Sequence, residues 1–166
     1  PSALFALSGF GQQIRTIMRD FDIISLAELG PALQNRRSRA VMITFDDGYV
    51  DNYIEAFPVL KTYGASATFF ITTGFLDVPQ VPWWDEIAWM VRTCRLPHIP
   101  ANPWTGGPIP FDEPDRERAI RRALAAYKIL EGSSTAEYMA FLAQTLQTGR
   151  APEHIGHELW MTWPMI

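Results

Sequence analysis

The sequence is poor in cysteine, in histidine, in positive charge and in long apolar runs. Its one cysteine, Cys94, excludes any intrachain disulfide. It does not report on the redox compartment, because domains of this size need no disulfides. No His or Lys neighbours it in sequence, so it reads as a buried structural thiol. A formal net charge of −4 leaves no basic field for nucleic acid or an anionic membrane surface. No apolar stretch approaches the roughly 20 residues that span a bilayer, so no transmembrane segment is expected. No signal segment, internal repeat or low-complexity stretch is present. The place of the protein in the cell stays open between cytoplasm and cell envelope. What remains is an ordinary globular composition over 166 residues, 48% hydrophobic and 19% charged, enough for one domain with a core.

The most informative stretch is Val41-Met42-Ile43-Thr44-Phe45-Asp46-Asp47-Gly48-Tyr49. An apolar run from Ala40 to Phe45 ends in two carboxylates, a glycine and an aromatic residue. Near-continuous apolar character suits a strand covered on both faces. The C-terminal end of such a strand is where α/β folds place chemistry. Two acids there are costly unless they bind a metal, pair with a cation or move protons. Gly48 permits a turn that lets both carboxylates face one pocket.

Around this strand, spacing predicts a helix over Phe10–Phe21 with Ile14, Ile17, Met18 and Phe21 as its apolar face. A short strand is expected at Asp22–Leu26, then a short helix broken at Gly30-Pro31, then an exposed basic loop, Asn35-Arg36-Arg37-Ser38-Arg39. Asp51 or Asn52 can cap a helix running toward Tyr63, with Gly64 as its stop. Pro58 fits that helix only at a first turn or a kink. A second buried strand spans Ala65–Thr72, which makes a βαβ unit. Pro82–Thr93 reads as a helix, Leu96–Pro114 as an irregular insertion, and Asp115–Leu130 and Thr135–Thr148 as two further helices.

The block Thr44-Phe45-Asp46-Asp47-Gly48-Tyr49, followed by Asp51-Asn52-Tyr53 and then Ala67-Thr68-Phe69-Phe70, resembles the polysaccharide deacetylase family. Thr-Phe-Asp-Asp-Gly is that family's first motif, and Ala-Thr-Phe-Phe lies on its next strand. Phe75-Leu76-Asp77, Trp83-Trp84-Asp85 and Leu159-Trp160-Met161-Thr162-Trp163 resemble bacterial members with a helical insertion. The resemblance implies an α/β fold: a partial, distorted (β/α) barrel over residues 1–166 with an inserted helical hairpin at about 82–150. It also implies a metal-dependent hydrolase that removes N-acetyl or O-acetyl groups from an acetylated polysaccharide or oligosaccharide. By that analogy Asp47 is a metal ligand and Asp46 the general base. The divalent metal, usually zinc, polarises the acyl carbonyl and binds the attacking water. Tyr49, Thr72 and Trp84 are candidates to line the substrate groove, with core packing as the plainer reading of Trp84.

The sequence departs from the family in one decisive respect. The second family motif, His-Ser/Thr-x-x-His, which supplies two metal ligands, is absent, as are the later motifs with an Arg and a catalytic His. The barrel's first strand is not recognisable either. The chain is therefore expected to be the N-terminal portion of a deacetylase domain, inactive alone, since a catalytic zinc uses about three protein ligands. Unpaired strand edges of such a portion are expected to make it aggregation-prone or molten. His154 and His157 stand three apart and read as surface residues, and His98 as exposed and inert. The alternative is a non-catalytic glycan-binding or structural module that uses a Trp-rich surface. A phosphatase of the Asp-x-Asp-Gly-Thr type fits worse, because Phe45 stands where the first acid belongs.

Overall fold

A computed structural model of the chain describes residues 3–36, 39–112, 114 and 116–166. Arg37 and Ser38 of the basic loop, and Asp115 at the expected start of a helix, lie outside the described residues. The chain mixes helices with short strands, as an α/β reading requires. It divides into two units, residues 1–79 with 157–166, and residues 80–156.

The first unit opens with α1 (Ala3–Asp20), followed by β1 (Asp22–Ile23), α2 (Leu26–Gln34), β2 (Ala40–Val41) and β3 (Thr44–Phe45). The apolar run at 40–45 is thus not one strand but two short ladders separated at Met42-Ile43. β2 pairs parallel with β1 (Ala40 opposite Asp22, Val41 opposite Ile23). β3 pairs parallel with β4 (Thr68–Phe69), placing Phe45 opposite Phe69. Their rings stack at 4.9 Å, and Phe10 of α1 meets Phe45 edge-on at 6.1 Å. Between β3 and β4 lie a π-helical segment, Asn52–Ala56, and α3 (Phe57–Tyr63), so the βαβ connection is present. Gly64 ends α3 in the left-handed conformation.

Several local expectations change. Ile14 is fully buried, but Met18 and Phe21 are exposed. α2 runs through Pro31 without a break. Pro31 costs the helix one N–H bond, but Asn35 still donates to the Pro31 carbonyl at 3.0 Å. Asp51 adopts helical angles and makes no side-chain cap, so neither it nor Asn52 starts the helix by capping. Pro58 falls in the first turn of α3, just after the π-segment. The unit is completed by α4 (Thr73–Asp77) and by the residues from His157 onward.

The second unit holds the largest buried apolar cluster. It is built on α5 (Trp83–Thr93), α6 (Glu117–Lys128) and α7 (Ser133–Thr145), with an antiparallel pair β5 (His98–Ile99) and β6 (Ile109–Pro110) in the stretch expected to be irregular. α5 packs against both α6 and α7. Tyr138 is fully buried among them and donates its hydroxyl to the Ala123 carbonyl at 3.2 Å. Cys94 is buried, as its lack of activating neighbours suggested. Ile129 follows α6 and is 77% exposed.

The two ends of this unit come together. Glu86, buried in α5, accepts from Arg150 Nε at 2.6 Å and from its terminal nitrogen at 2.7 Å, and also from the Ala151 amide. Gly156, in α8 (Glu153–Leu159), lies so close to Gln80 that an added Cβ would stand 2.8 Å from its Cα. Only glycine permits that approach.

Candidate active site

The two carboxylates sit where β3 ends, on a turn whose backbone is strained. The Gly48 amide donates to the Asp46 carbonyl at 2.8 Å, and Asp47 between them has φ +67°. This is the geometry of the rare γ-turn with positive φ at its centre. Gly48 follows at φ +87°, with space for a Cβ only 3.1 Å from Ile71 Cγ2. The glycine is therefore required both by angle and by packing.

Four contacts hold the turn. Thr72, which precedes α4, donates its amide to the Asp47 carbonyl at 3.2 Å. Thr72 Oγ1 lies 3.5 Å from Asp47 Oδ1, the outer limit of a hydrogen bond. From the C-terminal side, the Met161 amide donates to the Gly48 carbonyl at 2.9 Å, and Tyr49 bridges antiparallel to Trp160. The Tyr49 ring packs on Trp160 at 4.5 Å, and Phe75 stacks on the same indole at 4.3 Å. The structure thus gathers Asp46, Asp47, Tyr49 and Thr72 at one turn. Asp46 is exposed, and Asp47 and Tyr49 are half-buried.

Trp84 belongs to the other unit, at the start of α5, where it meets Trp83 edge-on at 5.5 Å. Trp83 itself stacks on Tyr127 at 4.1 Å, and Trp104 packs against Tyr138 and Phe141. Of the six tryptophans, Trp163 alone ranks among the exposed large hydrophobics. Trp83, Trp84, Trp89 and Trp104 are half-buried, and Trp160 is buried.

A cavity of this unit, about 210 Å³, is lined by Asn52, Tyr53, Phe57, Phe69, Ile71, Met161, Met165 and Ile166, and by neither aspartate. Sequence reasoning missed the π-helical segment that supplies two of these residues, and missed the positive φ of Asp47. Glycine marks position 48 for positive φ, but nothing in the Asp-Asp-Gly string marks Asp47 for it as well.

A divalent metal is tested by its donors. Among the described residues no three His, Cys, Asp or Glu gather to hold one. His154 and His157 are both exposed on α8. The residues present supply a carboxylate pair and a hydroxyl, and do not complete a zinc site by themselves.

Residues 34–93 match the family model for polysaccharide deacetylase. That span carries β2, β3, β4, the carboxylate turn and α5. Over 33 residues the chain is also 64% identical to a Bacillus subtilis (strain 168) protein named "Putative polysaccharide deacetylase YxkH". The aligned stretch is 20% of this chain and 12% of that one, so the comparison spans a small part of the relative. No solved structure gives a significant match. Every site residue named from the sequence, Asp46, Asp47, Tyr49, Thr72 and Trp84, falls inside the family-matched span. No helix among the described residues is long and apolar enough to cross a membrane.

Proposed function

We propose that the chain carries the carboxylate part of a carbohydrate deacetylase site that hydrolyses N-acetyl or O-acetyl groups. The observation that supports this is the strained turn at Asp46–Gly48 inside the family-matched span. Backbone strain persists where the surroundings over-determine it, and it concentrates at functional sites. In this reading Asp46, open to solvent, is the general base that takes the proton of the attacking water. Asp47, half-buried beside Thr72, contributes one ligand to a divalent metal, zinc in this proposal, whose other ligands come from residues outside those described. Tyr49 and Thr72 border the bound sugar. The β1–β4 ladders are then a segment of a distorted (β/α) barrel. Residues 1–166 alone are inactive.

The test uses the product of the whole reading frame that contains these residues, assayed for acetate release from acetylated amino-sugar oligomers. Asp46→Asn is expected to lower kcat by about 10²–10⁴-fold while leaving the fold unchanged. Asp47→Ala is expected to abolish bound zinc. Full activity in the first variant, or unchanged zinc content in the second, removes the assignment. The 166-residue chain is expected to release no acetate.

A further inference from the structure

Two segments of the first unit, Phe75-Leu76-Asp77 and Trp160-Met161-Thr162-Trp163, stand far apart in the chain and meet in the fold. The indole of Trp160, 2% exposed, packs on two rings, Phe75 at 4.3 Å and Tyr49 at 4.5 Å. Three residues on, the Trp163 indole N–H donates to Asp77 Oδ1 at 2.9 Å. Between these two points stands Met161, whose amide donates to the Gly48 carbonyl. Phe75 and Asp77 both lie on α4, which is anchored by buried Leu76 and preceded by Thr72. Thr72 donates its own amide to the Asp47 carbonyl. One short helix therefore begins beside the carboxylate turn and, further along, holds the segment that grips the turn from its other side.

We propose that Trp160 and Asp77 are positioning residues for the Asp47 carboxylate. The bond inside the turn, from the Gly48 amide to the Asp46 carbonyl, does not choose the sign of φ at Asp47. The common inverse γ-turn makes the same bond with negative φ. The sign is chosen from outside, by the Thr72 and Met161 amides, because a strained φ persists only where its surroundings over-determine it. A backbone bond from a remote segment needs side chains to hold that segment in register. Trp160 supplies buried aromatic area, tying Tyr49 on the turn to Phe75 on α4. Asp77 supplies a carboxylate acceptor that fixes the far end of the segment through Trp163. Both residues act on Asp47 through Met161 and Gly48. The effect on turnover rests on the deacetylase reading; the effect on the turn does not.

The test uses the product of the whole reading frame, isotope-labelled at aspartate. The Asp47 amide signal is assigned by its absence in Asp47→Glu, and its HN–Hα coupling in NMR reads φ. Trp160→Ala is expected to move that coupling off its wild-type value. Well below its melting temperature it is also expected to lower kcat about tenfold with little change in KM. Trp160→Phe, which keeps a ring, is expected to regain most of both. Asp77 is exposed, so its substitution leaves the core intact. Asp77→Ala is expected to move the coupling the same way and to lower kcat about fivefold. Asp77→Asn, which keeps the accepting oxygen, is expected to restore both. Where Trp160→Ala does not fold, the Asp77 pair decides. A wild-type coupling in Asp77→Ala and in every folded Trp160 variant overturns the proposal. Equal losses in Asp77→Ala and Asp77→Asn overturn the part given to Asp77. A coupling that moves as expected in a protein that releases no acetate supports the positioning and removes the deacetylase reading instead.

Discussion

Asp47 makes two demands that pull apart. Its carboxylate is wanted beside Thr72, but its backbone sits at φ +67°, a region that costs a residue with a Cβ about 1 kcal/mol. Aspartate tolerates this better than most residues because its short polar side chain bonds locally. Asp47→Gly and Asp47→Ala lose the same carboxylate, but only glycine loses the strain. Asp47→Gly is therefore expected to be more stable than Asp47→Ala by about 1 kcal/mol, read as a difference in denaturation midpoint. Equal stability would mean that the turn is unstrained at this residue. Gly48 has no such alternative, since its angle and the 3.1 Å approach to Ile71 both exclude a side chain.

At the scale of elements, α6 and α7 are tied by one buried phenol. Burial pushes the Tyr138 hydroxyl from an ordinary value of 10.0 up to about 12. The unfolded chain thus gives up this proton near pH 10, and the folded chain only near pH 12. Between those values the unfolded state binds fewer protons, so rising pH favours unfolding. The contribution is fully present below pH 10 and is lost as pH rises toward 12. Tyr138→Phe is expected to flatten this alkaline loss, at a cost of about 1 kcal/mol at neutral pH for the hydrogen bond to Ala123. Thermal melts of the two proteins on either side of pH 10 check both parts. The Glu86–Arg150 pair closes the same unit at its other end. The guanidinium is held above its ordinary range by its bond to the carboxylate. Because Glu86 is buried, Arg150→Ala is expected to destabilise the unit by about 3 kcal/mol, the cost of a carboxylate left without its partner. A midpoint shift within the error of denaturant titration would show that water replaces the guanidinium.

The whole molecule divides its stability unevenly. Its largest buried cluster, from Ile87 to Leu146, lies in the second unit. The first unit has strands of two residues each and leaves Tyr53, Ile54, Phe57 and Phe70 exposed. Local opening is easiest where buried apolar contacts are fewest. Amide exchange is therefore expected to be slowest in α5, α6 and α7 and much faster in β1–β4 and the π-helical segment. Uniform protection across both units would show that the short ladders are as stable as the helical core. The exposed aromatic side chains of the first unit are also the place where association of isolated chains would begin.

What the sequence by itself determined is what depends on short-range chemistry. The apolar run ending in Asp46-Asp47-Gly48, the stop at Gly64, the α5 helix and its buried face, and the resemblance to the deacetylases rest on neighbours in the chain, and propensity and spacing report them. Four things were decided only in three dimensions. One is the division of the 40–45 run into two ladders, because each half finds a different partner strand. Another is the positive φ of Asp47, which is set by the Thr72 and Met161 amides that grip the turn. The return of Trp160 onto Tyr49 joins residues more than a hundred positions apart. The packing of most tryptophans inward reflects how much apolar area an indole removes from water once a core exists to receive it.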